Sequence, residues 1–148
     1  MLPEVWGSYA WRFLHCVTIE YPTNPTRDDM ENFRTFFDSL KYVLPCEKCR
    51  KNFAKHMKKY PLTDEVLSTK KNLIRWCIDL HNVVNYDTGK KMLSYSETIH
   101  DLHNFTMSKI KKVKKNNTVF YGLLIIGIII IVVFFYMYNR NIQPTKIS

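Results

Sequence analysis

Residues 119–138, VFYGLLIIGIIIIVVFFYMY, run for 20 positions without a charged side chain. As a helix this segment is about 30 Å long, the thickness of a bilayer's hydrocarbon core. A helix apolar on every side must be surrounded either by lipid or by a large protein. The chain has 148 residues, too few outside this segment to wrap it. The run is therefore expected to be a transmembrane helix, and its distance from the N-terminus excludes a secretory signal.

The span divides the rest of the chain. Residues 1–108 are left to form one modest domain, 109–118 a basic linker, 119–138 the span and 139–148 a short tail. A domain of that size buries a thin core, which a tightly held cofactor would reinforce. The net charge is +9, and Lys109, Lys111, Lys112, Lys114 and Lys115 lie just before the span. Lysines there act as a positive-inside signal and attract anionic lipid heads. Nucleic-acid binding calls instead for a basic groove with interleaved aromatics, so no nucleic-acid partner is expected. The lysine bias places the N-terminal domain on the cytosolic side, although Arg140 and Lys146 follow the span. With no N-terminal signal and ten residues after the span, the expectation is a single-pass, C-terminally anchored protein.

Helical periodicity dominates the domain, and no segment alternates as a strand. The first helix is expected over Pro3 to Glu20, with Val5, Tyr9, Phe13 and Val17 as its apolar stripe, ended by the YPTNP turn. A second helix spans Arg27 to Val43 behind a Thr26 N-cap, with Met30, Phe33, Phe37, Leu40 and Leu44 on its stripe. The third runs from LPCEKC to near Tyr60, and the fourth from near Asp64 to just before Gly89 with a break near Ser68. A short fifth helix starts at Ser94, where Ser94 and Glu97 are spaced as a capping box. The fold class is all-α: an antiparallel four-helix bundle, a short fifth helix and one C-terminal transmembrane helix.

Cys46 and Cys49 share a helix face at i and i+3, close enough to bond each other. Pro45 places them at a helix N-terminus, where free N–H groups and the dipole favour a thiolate. Lys48, Arg50 and Lys51 add positive potential. These are the conditions of a reactive dithiol. The same C-x2-C, together with Cys77 and His81 at i and i+4, could instead form a structural zinc site. Such sites usually occupy small β-turns rather than an apolar helical stripe.

Gly7, Trp11 and His15 recur every four residues on the first helix, and Cys77, His81 and Asn85 do so on the fourth, with Asn82 beside them. Taken singly, each is more often a core tryptophan or a satisfied histidine. Amides and imidazoles beside an apolar stripe need partners, from each other or from a ligand. Gly89 and Lys90 add a turn and a charge suited to phosphate. Two helices with Trp, His and Asn near a redox-capable CxxC point to a planar redox cofactor rather than a metal.

In order, the chain carries W-G-x3-W-x2-L-H (Trp6 to His15), Y-P (Tyr21, Pro22), C-x2-C (Cys46 to Cys49), W-x4-H-N-x-V-N (Trp76 to Asn85) and G-K (Gly89, Lys90). Over residues 3–105 it resembles the Erv/ALR family of FAD-linked sulfhydryl oxidases. The resemblance implies a bundle that holds FAD between its helices, and a redox-active Cys46–Cys49 disulfide. Cys49 would lie nearest the flavin, and Cys46 would take electrons from outside. Trp11, His15, Tyr21, His81, Asn82 and Asn85 would contact the cofactor, Lys90 would serve its phosphates, and Gly7, Trp76, Cys77 and Tyr95 complete the implied set. Electrons would pass from substrate thiols to FAD and then to O2, giving hydrogen peroxide, in a dimer packed through its first helices. One departure is that no cysteine follows Gly89-Lys90 to pair with Cys77, as in many relatives. Cys77 either stays free or pairs with Cys16, and its ease of packing as a small apolar residue favours the first. The four cysteines include no second dithiol on an arm, so the implied substrate is a thiol protein or a small thioredoxin-like or CxxC carrier. The compact, anchored form is like that of oxidases of large DNA viruses.

Overall fold

The computed structural model describes residues 1–142, with side chains through Arg140. All six regular elements among these residues are helices: α1 (Pro3–Ile19), α2 (Arg27–Val43), α3 (Glu47–Lys59), α4 (Asp64–Leu67), α5 (Lys70–Asp87) and α6 (Tyr95–Ile142). They group into two compact units, Met1–His103 and the chain from Asn104 onward.

The helix boundaries follow from local chemistry. Pro3 sits in the first turn of α1, where its missing N–H is not needed. Thr26 caps α2 reciprocally: its hydroxyl accepts from the Asp29 N–H at 3.1 Å, and its own N–H donates to Asp29 Oδ2 at 2.8 Å. Cys46 is the N-cap of α3. The break near Ser68 is real, since Thr63 caps α4 and Thr69 caps α5 separately. Gly89, at φ +69°, takes the left-handed conformation that turns the chain out of α5.

In the first unit, α1 packs on α5, α2 on α3, and α4 on α5. Tyr21, Phe37, Leu67 and Leu73 are fully buried between them, with Leu14, Phe53 and Trp76 around them. Tyr21 donates its hydroxyl to the Leu67 carbonyl at 2.8 Å and meets Phe33 edge-on. Trp76 donates Nε1–H to the Tyr60 carbonyl at 3.1 Å and meets Phe37 edge-on. These bonds tie the turn after α1 to α4, and α5 to the end of α3.

The expected apolar stripe of α1 lies on the wrong face for the core. Val5, Tyr9 and Phe13 are 60%, 75% and 58% exposed, whereas Leu14, His15 and Thr18 are buried. The buried face pairs small and polar groups against α5, so apolar spacing alone pointed to the opposite side.

The fifth helix begins as expected, with Glu97 and Ser94 in reciprocal hydrogen bonds of 2.8 and 3.2 Å. It is not short: α6 continues for 48 residues through the basic segment and the apolar run. Within the second unit, an 18-residue window has a mean hydropathy of 2.9 with nothing buried, so this is one helix long and apolar enough to cross a membrane. Of the expected 139–148 tail, residues 143–148, including Lys146, lie outside the described residues.

Candidate active site

α1 and α5 bring four of the expected residues into direct contact. Trp11 stacks on His81 with ring centres 4.2 Å apart and planes 11° from parallel. His15 Nε2 and His81 Nδ1 are 3.0 Å apart, so one nitrogen donates to the other. On its far side His15 Nδ1 meets Cys77 Sγ at 3.6 Å. The result is a line Cys77–His15–His81 with an indole laid over its end.

Burial sets the charge of this line. It lowers His15 to about 4. Burial also lowers His81 to about 4, helped by the charges of His15 and Lys90. Burial pushes the Cys77 thiol up to about 12, against a lowering hydrogen bond from Thr18. At neutral pH the group is therefore two uncharged imidazoles and a protonated thiol. Cys77 and Cys16 are both free, Cys77 buried and Cys16 exposed.

The other expected residues divide. Asn85 is buried on α5, and its carbonyl accepts from the Lys90 N–H at 2.8 Å. Lys90 itself is exposed, and its charge is felt at His81. Asn82 is committed to the backbone, donating to the Leu93 carbonyl at 2.8 Å and accepting from the Leu93 N–H at 3.0 Å. Tyr21 and Trp76 have their polar atoms spent on framework carbonyls. Tyr95 stands apart from the stack: it donates to Asp79 at 2.8 Å beneath the Arg75 guanidinium. A Cβ on Gly7 would meet nothing within 4 Å, so no protein atom demands glycine there.

Trp6, next to Gly7 in the same motif, was not among the expected contacts. Its Nε1 is the buried side-chain nitrogen or oxygen without a partner among the described residues. The adjacent W-G motif was the available signal for it. His56, buried and 3.2 Å from Asp87, also went unforeseen, because that contact joins α3 to the end of α5.

Cys46 and Cys49 are bonded to each other, with Cα atoms 5.0 Å apart. As N-cap, Cys46 Sγ accepts from the Cys49 N–H at 3.2 Å. Both are half-buried. The pair thus sits among the free N–H groups of a 13-residue helix, which stabilise a thiolate once the bond opens. Arg50, one turn on, donates to the Leu44 carbonyl at 2.6 Å and keeps its charge beside the pair. The zinc alternative is not supported. Among the described residues no three or more His, Cys, Asp or Glu form a metal-holding group, and Cys77 and His81 flank His15 instead.

The Erv1/Alr family profile matches residues 8–117 of this chain. The chain belongs to the Erv1/Alr family. It is 56% identical over 116 residues to a protein of Acanthamoeba polyphaga mimivirus named "Probable FAD-linked sulfhydryl oxidase", covering 78% of this chain and 80% of that one. It is 28% identical over 123 residues to an FAD-linked sulfhydryl oxidase of African swine fever virus, covering 79% and 93% respectively. The fold is like that of the FAD binding domain of Erv1 from Saccharomyces cerevisiae, at 27% identity and a TM-score of 0.60, over 65% of this chain and 89% of that one.

Proposed function

We propose that this chain is an FAD-dependent sulfhydryl oxidase that forms disulfide bonds in protein substrates. Two electrons leave a substrate dithiol through Cys46–Cys49, pass to FAD and reduce O2 to hydrogen peroxide. The observation that carries this reading is a disulfide at a helix N-terminus in a chain of the Erv1/Alr family.

The residues present fit FAD. A parallel Trp11–His81 stack supplies a flat aromatic surface, and uncharged His15 and His81 suit a neutral heterocycle. The unpartnered Trp6 Nε1–H is a donor awaiting an acceptor, and Lys90 offers a cation for phosphate. We assign the cofactor contacts to Trp11, His15, His81, Asn85 and Lys90 with Trp6 added, while Tyr21, Trp76 and Asn82 support the framework. When bound, FAD supplies a two-electron acceptor that O2 can reoxidise.

The chain's own part is thiol–disulfide exchange. A substrate thiolate attacks Cys46 Sγ, and the Cys46–Cys49 bond breaks. The leaving Cys49 thiolate is stabilised by the α3 N-terminus. The substrate's second thiolate then attacks the mixed disulfide and releases Cys46. The substrate has lost two electrons and two protons, and the chain holds a dithiol. On the family likeness we assign Cys49 to the cofactor side and Cys46, the N-cap at the helix end, to the substrate.

Without a second dithiol, the chain would serve a thiol protein directly or a small thioredoxin-like or CxxC carrier. The exposed Val5, Tyr9 and Phe13 stripe suits a homodimer packed through α1. The apolar part of α6 anchors the protein, and the preceding lysines favour a cytosolic catalytic domain, on a host or virion membrane. The test is to purify the full chain in detergent and mix it with a reduced dithiol protein under air. A yellow preparation that oxidises the dithiol protein, with the activity lost in both Cys46→Ser and Cys49→Ser, is expected. A colourless protein, or oxidation at the wild-type rate by either variant, would refute the scheme.

A further inference from the structure

We propose that the cleft between α2 and α3 docks an acidic segment of the substrate polypeptide and so delivers its dithiol to Cys46. This rests on the oxidase reading and adds a substrate class to it.

The cleft has a volume of about 660 Å³. Its α3 wall includes Arg50, Ala54 and Met57, which follow Cys46 at intervals of four, four and three. Glu47, the residue after the N-cap Cys46, lines the same cleft. Phe53 and His56, a fraction of a turn round the helix, are buried. The cleft therefore begins beside Cys46 and follows α3 away from it, and a chain lying in it runs up to Cys46.

Charge identifies the occupant. Five cations line the cleft (Arg34, Lys41, Arg50, Lys51 and Lys58), against the carboxylates of Asp38 and Glu47. Lys41 is held by Asp38 at 2.5 Å, Lys51 by Glu47 at 2.8 Å, and Arg34 by Asp64 across the end of the cleft. Arg50 bonds a carbonyl rather than a carboxylate, and Lys58 makes no ion pair among the described residues. Two cations are left open. They are eight residues apart on α3, about 12 Å, with Ala54 and Met57 between them. An extended polypeptide covers that distance in about four residues. The matching segment has two carboxylates that far apart and an apolar side chain between them, over the adaptable Met57. Complementary charge at such a rim acts mainly on encounter and partner choice.

The probe is a pair of labelled peptides of equal length with serines in place of the dithiol, one carrying Asp-x-Leu-x-Asp and the other Lys-x-Leu-x-Lys. Binding to the full chain in detergent is read by fluorescence anisotropy. The acidic peptide is expected to bind about tenfold more tightly than the basic one, and Lys58→Glu to weaken it roughly three- to tenfold. Lys58→Gln gives an intermediate loss, and about 0.5 M salt removes most of the preference. Equal binding of the two peptides, or an acidic preference unchanged in Lys58→Glu, overturns the proposal. Turnover of dithiothreitol by the same preparation reports separately on the oxidase reading: its absence would refute that reading, while the binding data still decide the cleft.

Discussion

Acidification should unfold the catalytic unit in a way set by two imidazoles. His15 and His81 are held neutral, each lowered from 6.5 to about 4. Above pH 6.5 both are neutral in the folded and unfolded chain, and the burial carries no penalty. As the pH falls from 6.5 toward 4, the unfolded chain takes up protons that the folded chain refuses, so stability falls with falling pH. Between pH 7 and 5 that difference is about 2 kcal/mol for each imidazole, and up to about 4 kcal/mol for the pair. The lowered carboxylates do not interfere, since Asp29 and Glu97 titrate below this window. The three tryptophans, Trp6, Trp11 and Trp76, all lie in the first unit, so intrinsic fluorescence during urea unfolding follows that unit and not the apolar run of α6. The wild-type full chain in detergent should lose about 2 to 4 kcal/mol between pH 7 and 5. His15→Gln should be less stable at pH 7 yet lose only about half as much on acidification. A wild-type loss under about 1 kcal/mol, or an identical pH slope in His15→Gln, would show that the pair is not buried neutral.

Two further outcomes follow from single contacts. Tyr21→Phe leaves the buried Leu67 carbonyl without its donor and should lower stability by about 1 to 3 kcal/mol in the same urea assay, with no change in dithiol turnover. Ile129→Arg puts a charge near the middle of the apolar run and should disfavour membrane insertion by about 2.5 to 3.5 kcal/mol, read as increased release on alkaline extraction of membranes.

The parts of this fold readable from sequence were those written locally. Thr26 and Asp29, Ser94 and Glu97, the Pro45–Cys46 entry to α3 and the stop at Gly89 each encode a helix end within a few residues. The break at Ser68 was legible for the same reason. What depended on distant partners was not. Spacing put Val5, Tyr9 and Phe13 in the core, but α5 selects the His15 side of α1 by offering Cys77 and His81. The C-terminal boundary misled too: nothing in a helix-compatible run of lysines ends a helix, so α6 runs through it.

The candidate site was legible as a set of residues rather than as roles. Trp11, His15 and His81 do meet. Tyr21, Trp76 and Asn82 turn out to spend their polar atoms on backbone groups of α4, α3 and the turn before α6. A motif reports which residues a fold retains, but only the partner atoms show which are spent holding the scaffold.

The central claim is that Cys46–Cys49 carries electrons from thiols to oxygen. Oxygen uptake by the purified full chain with dithiothreitol tests it most directly. One O2 consumed per disulfide formed, with an equal yield of hydrogen peroxide, is the predicted result, and Cys49→Ser should lose the activity. Oxygen uptake at the wild-type rate in Cys49→Ser would contradict it.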